Sequence, residues 1–113
     1  MTAATKWQTI CQQQDLIHDS GICALLNDEQ QVAIFYLKAT NQAYAISNYD
    51  PIGKANVLYR GIIGSIDEDI VVSSPLYKQH FSLTSGLCIQ DETKSVAVFK
   101  TRIIDDLVQL KVA

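Results

Sequence analysis

Val32-Ala33-Ile34-Phe35-Tyr36-Leu37 is the stretch on which the reading of the fold turns. With the two-residue period of a strand, Val32, Ile34 and Tyr36 share one face, while Ala33, Phe35 and Leu37 share the other. Both faces are apolar. A strand of that kind needs protein above and below it, so it belongs in the interior of a layered β fold. Just upstream, residues 22–26 read as a strand and Asn27-Asp28-Glu29-Gln30 as the turn that closes a hairpin. Just downstream, Thr40-Asn41-Gln42 turns the chain into a further strand over 43–47.

The same pattern of short β-rich runs between turn residues extends to both ends. Residues 7–11 read as a first strand, and 12–17 allow one helical turn with Asp15 and Asp19 nearby. Residues 48–56 are mostly polar and include Pro51 and Gly53, which marks a loop, and 57–59 fit a short strand or a helical turn. Strands over 62–66 and 70–73 flank Asp67-Glu68-Asp69, read as an exposed hairpin tip. A second loop over 74–78 leads to a strand at 79–83 and a tight turn at Ser85-Gly86. The chain closes with a strand at 96–104, a turn at Asp105-Asp106, and a strand at 107–112 in which Val108, Leu110 and Val112 alternate with Gln109 and Lys111. No long run carries a 3.6-residue apolar period. The expectation is all-β: one domain over 1–113, a sandwich or barrel of about ten short strands.

Composition narrows the function. The chain has 113 residues, 48% of them hydrophobic, and a domain of that size buries roughly 65% of its unfolded surface. Its net charge is −3 with no cluster of cations, which argues against nucleic acid as a partner. The longest apolar runs are strand-length, far below the ~20 residues that span a bilayer, so no membrane is expected. Near the start, Gln8, Thr9 and Gln12-Gln13-Gln14-Asp15 break any apolar core that an export signal would need. The expected location is therefore cytoplasmic. Cys11, Cys23 and Cys88 are odd in number and widely spaced, and they read as buried or half-buried thiols in a reducing compartment.

Signs of catalysis are missing. There is no serine in a G-x-S-x-G turn and no phosphate-cradling glycine loop. His80 and His18 are the only imidazoles and lie far apart in the chain, which gives little ground for a metal site. Lys54, Arg60, Lys78 and Lys100 are scattered cations, most simply solvated, with the steering of an acidic partner as the alternative.

The two loops carry the rest. A strand ends in Ser47-Asn48-Tyr49-Asp50, and later Ser73-Ser74-Pro75-Leu76-Tyr77 runs into Gln79-His80-Phe81 and the Gly86 turn. This resembles the Rieske iron–sulfur pattern, in which a C-x-H loop and a C-P-x-H loop supply the cluster ligands. A [2Fe–2S] centre of that type needs two thiolates and two imidazoles. Here the four positions hold Asn48, Asp50, Ser74 and Tyr77, so no ligand is present, although Pro75, Phe81 and Gly86 keep the frame. The resemblance implies a vestigial cluster-binding subdomain over about 46–86.

Nearly the whole chain is similar to the small subunit of the cytoplasmic NAD(P)H-dependent nitrite reductase (NirD type). The likeness rests on Trp7 and Cys11, Gly21 through Leu26, Gln31 through Phe35, Ala45 through Asn48, Asp50-Pro51, Ser73 through Leu76, Gly86 through Cys88 and Val108 through Leu110. It implies an accessory, Rieske-like subunit of an oxidoreductase, with no cofactor and no catalytic residue of its own. It further implies a large catalytic partner carrying sirohaem, an iron–sulfur cluster and FAD, which reduces nitrite to ammonium. Candidate docking residues are Asn48, Asp50, Ser74, Tyr77 and Lys78; ordinary loop closure by Asx-type hydrogen bonds is the competing reading of the four vacant ligand positions. The other readings are a stand-alone interaction module and a ferredoxin-type electron carrier. The ferredoxin reading founders on the ligands.

Overall fold

The structure, a computed structural model, describes residues 6–27, 29–76 and 78–112. Twelve strands occur among them, against the ten or so expected. In chain order they are β1 Trp7–Gln12, β2 Ser20–Leu26, β3 Gln30–Leu37, β4 Gln42–Ser47, β5 Tyr49–Asp50 and β6 Ala55–Asn56. They continue as β7 Ile62–Ile66, β8 Asp69–Ser73, β9 His80–Ser82, β10 Val98–Phe99, β11 Thr101–Ile104 and β12 Leu107–Lys111. Two single 3-10 turns, Gln13–Asp15 and Leu58–Arg60, account for the helical turns expected near 12–17 and 57–59. Asp28 and Tyr77 fall outside the described residues; the expected turn is seen at Asn27 and Glu29, while Gln30 already begins β3.

β3 divides the interior as its sequence predicts. Ala33 and Phe35 belong to one core with Ile46, Leu58, Val72, Phe81 and Cys88. Val32, Ile34 and Tyr36 belong to a second core with Ala43, Ala45 and Leu110. The layers follow from this. A four-stranded antiparallel sheet, ordered β10-β4-β3-β2, runs through the middle. A three-stranded sheet, β1-β12-β11, contributes Leu110, Ile10 and Ile103 to one face of it. On the other face lie the β7-β8-β9 sheet and the Leu58–Arg60 turn.

Three expectations need correcting. The run at 96–104 is not one strand: it breaks at Lys100, so that β10 joins the central sheet and β11 the outer one. A strand that changes sheets must bend, and at the bend Lys100 belongs to neither strand, its carbonyl accepting from the Lys111 N–H at 2.9 Å. The acidic tip is Asp67 and Glu68, both at positive φ, because Asp69 already pairs in β8 and accepts from the Ser82 and Thr84 hydroxyls. Finally, of the three free thiols only Cys88 is buried and Cys11 half-buried; Cys23 is exposed, since β2 is the outermost strand of its sheet.

Candidate functional site

Two loops meet at one end of the β7-β8-β9 sheet. The first, residues 48–61, leaves β4 and contains the small β5–β6 ladder and the Leu58–Arg60 turn. The second, residues 74–79, joins β8 to β9. The sheet brings them together by pairing Ser73 with both Ile62 and His80.

Asn48 roots the first loop. Its side-chain oxygen accepts from the Tyr59 backbone N–H at 2.8 Å, and its amide donates to Gln31 Oε1 at 3.0 Å and to Cys23 Sγ at 3.6 Å. Its backbone is satisfied too, by the Gln31 carbonyl and the Leu58 N–H. Such an arrangement needs one group that both donates and accepts, which an amide provides and a carboxylate does not.

Asp50 folds the turn beyond it. Oδ1 accepts from the backbone N–H groups of Ile52 at 2.8 Å and Gly53 at 3.0 Å, an Asx-type closure. Oδ2 accepts from the Ser74 hydroxyl at 2.5 Å, a bond between residues 24 positions apart. Ser74 Oγ also accepts weakly from the Leu76 N–H, while the Ser74 carbonyl takes the N–H of Lys78 at 3.0 Å. Asp50 and Ser74 thus clip the two loops together at two of the positions where a Rieske protein would hold metal. Asn48 and Asp50 are 0% exposed and Ser74 1%.

Asn48, Asp50 and Ser74 are all buried. The side chains of Asn48, Asp50 and Ser74 point inward and close the loops. Their polarity is spent on each other and on the backbone, as burial requires. Tyr77 lies outside the described residues. Lys78, Leu76, Lys54 and Tyr49 are exposed.

The residues do not fit a [2Fe–2S] cluster. The described ligand positions offer an amide, a carboxylate and an alcohol, none of them the soft thiolate that such clusters select. Leu76 and Asp50 pack closely against the turn: a Cβ on Gly53 would come within 2.5 Å of Leu76 Cδ1 and 3.0 Å of Asp50 Oδ2. No group of three potential metal ligands occurs among the described residues. His80 shares Gln90 as a partner at 2.8 Å, and His18 stacks on Tyr36 with ring centroids 5.0 Å apart. Each imidazole has a local structural use. An open cleft of about 750 Å³ lies elsewhere, bordered by Gln13, His18, Tyr36, Asp105 and Asp106.

Cys11 and Cys23 are not activated. Burial, with Asp15 adding its negative charge, pushes Cys11 up to about 11, and burial also pushes Cys23 up. A raised thiol holds its proton at neutral pH and is a poor nucleophile.

Comparison with known proteins agrees with this geometry. Residues 6–111 match the family described as the Rieske-like [2Fe-2S] domain. The Escherichia coli K12 nitrite reductase (NADH) small subunit is 45% identical over 107 residues, which is 95% of this chain and 98% of that one. The chain belongs to the family of nitrite reductase small subunits. Among solved structures, the NMR structure of the E. coli protein NirD superposes with a TM-score of 0.86 at 42% identity, covering 97% of this chain and 99% of that one. A nitrite reductase [NAD(P)H] large subunit from Klebsiella oxytoca is 41% identical over 80 residues, 71% of this chain but 8% of that protein. Family membership makes the chain a component of an oxidoreductase with a Rieske-like all-β fold. Among the described residues no helix is long and apolar enough to cross a membrane.

Gln31 and Gly53, read from the sequence only as part of the likeness and as a loop marker, also belong to the site. Gln31 anchors Asn48 from the neighbouring strand, and Gly53 makes room for Leu76. Gln31 is the polar residue directly before the apolar run on β3, which was the available signal.

Proposed function

We propose that this chain is the accessory subunit of an NAD(P)H-dependent nitrite reductase that reduces nitrite to ammonium in nitrate and nitrite assimilation, with the large catalytic chain as its partner. The observation that carries this is the pair of relatives: one a separate small subunit, the other a related stretch inside a large subunit. A unit that occurs both apart from and within the large chain acts beside it, and a fused arrangement holds the two in equal numbers. One small chain per large chain follows.

Multi-electron reduction needs redox centres, and the donor set of this chain does not suit the cluster of its fold family. Those centres are assigned to the large chain as sirohaem, an iron–sulfur cluster and FAD. The role left to this chain is assembly, stability or geometry of the complex, exercised in the cytoplasm where pyridine nucleotides are held. It works as one Rieske-like domain over 1–113, with residues of about 46–86 as the vestigial cluster-binding part. The two loops are the docking element. Asn48, Asp50 and Ser74 support them from within, and Tyr77 and Lys78 belong to the contact.

The test is NADH- and NADPH-driven nitrite reduction by the purified large chain, with and without this chain, beside size-exclusion chromatography of the mixture. Equimolar co-elution with raised or longer-lived activity is expected. Separate elution with unchanged activity refutes the proposal.

A further inference from the structure

We infer that two copies of this chain pair edge to edge through β7, in an antiparallel register centred on Gly64. The pairing doubles the three-stranded β7-β8-β9 sheet across a two-fold axis. It goes beyond the accessory reading and does not rest on it.

The free edge is the first argument. Ile70 accepts from the Leu83 N–H and Ser74 donates to the Gln79 carbonyl, so these residues turn their backbone groups toward β9 and its flanks. The alternate residues Asp69, Val71 and Ser73 therefore bond to β7, through Ile66, Gly64 and Ile62. That leaves the N–H and C=O groups of Ile63 and Ser65 facing outward, and no backbone partner meets them among the described residues. Nothing in the sequence blunts this edge. β7 reads Ile62-Ile63-Gly64-Ser65-Ile66, with no charge, no proline and no bulge in its register. The other edges of the larger sheets are each guarded. β1 has a bulge, β11 carries Arg102, and β10 is only two residues long. β2 has the Tyr59 carbonyl packed against Gly21, and β9 is covered by Cys88 and Ile89.

The second argument is that this edge complements itself. When Ile63 of one copy meets Ser65 of the other, each such pair exchanges both of its outward hydrogen bonds. Gly64 then faces Gly64 of the second copy, and Ile62 faces Ile66 in both directions. Ile62 is 77% exposed in the single chain, and a Cβ on Gly64 would meet nothing within 4 Å, so this face is open to a neighbour. The same register sets the charges. Arg60 lies two residues before β7 and Glu68 two residues after it, and both are exposed. Antiparallel pairing about Gly64 brings each Arg60 opposite Glu68 of the other copy, with Asp67 adjoining. A parallel arrangement would set Arg60 beside Arg60 and Glu68 beside Glu68, so charge selects the antiparallel one.

Sedimentation equilibrium of the isolated chain, from about 10 μM to about 1 mM, reads the mass against 12.5 kDa for one copy. A concentration-dependent dimer is expected, weakened by added salt. Ser65→Pro removes an N–H that makes no bond within the chain, so the melting temperature should stay near native while the protein becomes monomeric throughout. Ile62→Lys, at an exposed position, should also give a monomer and decides the matter if Ser65→Pro does not fold. Arg60→Glu or Glu68→Arg alone should weaken self-association about tenfold. An equimolar mixture of those two variants should recover native dimerisation, because opposite charges then meet at both ends. A native chain that stays monomeric at about 1 mM overturns the inference. So does a dimer that survives Ser65→Pro and Ile62→Lys, or a mixture no tighter than either charge variant alone. A monomeric chain whose binding to the purified large chain is weakened by Ser65→Pro also overturns it, since a strand of the large chain would then be the occupant. The accessory reading stands or falls separately, on whether the large chain binds at all.

Discussion

Ser74→Ala removes one oxygen atom, and the structure says what that costs. The hydroxyl donates to Asp50 Oδ2 at 2.5 Å, and both residues are sealed from solvent at 1% and 0% exposure. Without it, a buried carboxylate oxygen has lost its donor. Hydrogen bonds to charged groups contribute about 1.5–3 kcal/mol, and the orphaned partner places this case at the upper end. The 3.3 Å bond from Leu76 N–H adds little. The expected loss is about 2–3 kcal/mol. Unfolding entropy of ~2.1 cal/mol/K per residue gives roughly 0.24 kcal/mol per degree for 113 residues, so the melting temperature should fall by about 8–12 °C. Urea unfolding followed by circular dichroism and by Trp7 fluorescence measures this. Asp50→Ala strips acceptors from Ile52 N–H, Gly53 N–H and Ser74 at once and should cost more, about 3–5 kcal/mol. In the Asp50→Ala background, Ser74→Ala should then cost about 1 kcal/mol or less, a coupling of ~1–3 kcal/mol between the two sites. Additive losses, or a Ser74→Ala cost below ~0.5 kcal/mol, would show that the bond does not hold the loops together.

Restoring the ligands with Asn48→Cys, Asp50→His, Ser74→Cys and Tyr77→His should not yield a cluster, because the clip and the Asn48 anchors are lost while Leu76 still fills the gap over Gly53; iron and sulfide assays give the answer, and stoichiometric binding would contradict it. Gly86→Ala should destabilise by more than about 2 kcal/mol in urea unfolding, since Gly86 has φ +80 and a Cβ would collide with the Val96 carbonyl oxygen. Cys11 makes stability fall in alkali. Its pKa rises from 9.0 to about 11 on folding, so the folded state keeps a proton that the unfolded state gives up. Stability is complete below pH ~9 and declines as pH climbs from there toward ~11. Urea midpoints across that range should show the decline in the native chain and a shallower one in Cys11→Ala.

Much of the architecture could be read without coordinates. The two-faced run at 32–37 announces a strand between layers, and the structure puts its alternating residues into separate cores. The hairpins at β2–β3, β7–β8 and β11–β12 follow from turn residues between apolar runs. These are local matters: side-chain period and turn chemistry act over a few neighbouring residues, so a sequence displays them directly. The vacant ligand positions were legible for the same reason, since a missing cysteine is visible in a single letter.

What fills those positions was not legible. Asn48, Asp50 and Ser74 are polar loop residues, and polarity alone predicts exposure; only the approach of residue 50 to residue 74 supplies the partners that let them be buried. The break at Lys100 was hidden likewise, because either half of 96–104 makes a good strand and only the sheets on each side decide that they part. Identity along the chain determines which groups can bond, whereas pairing across 24 residues is set by where the whole fold brings them.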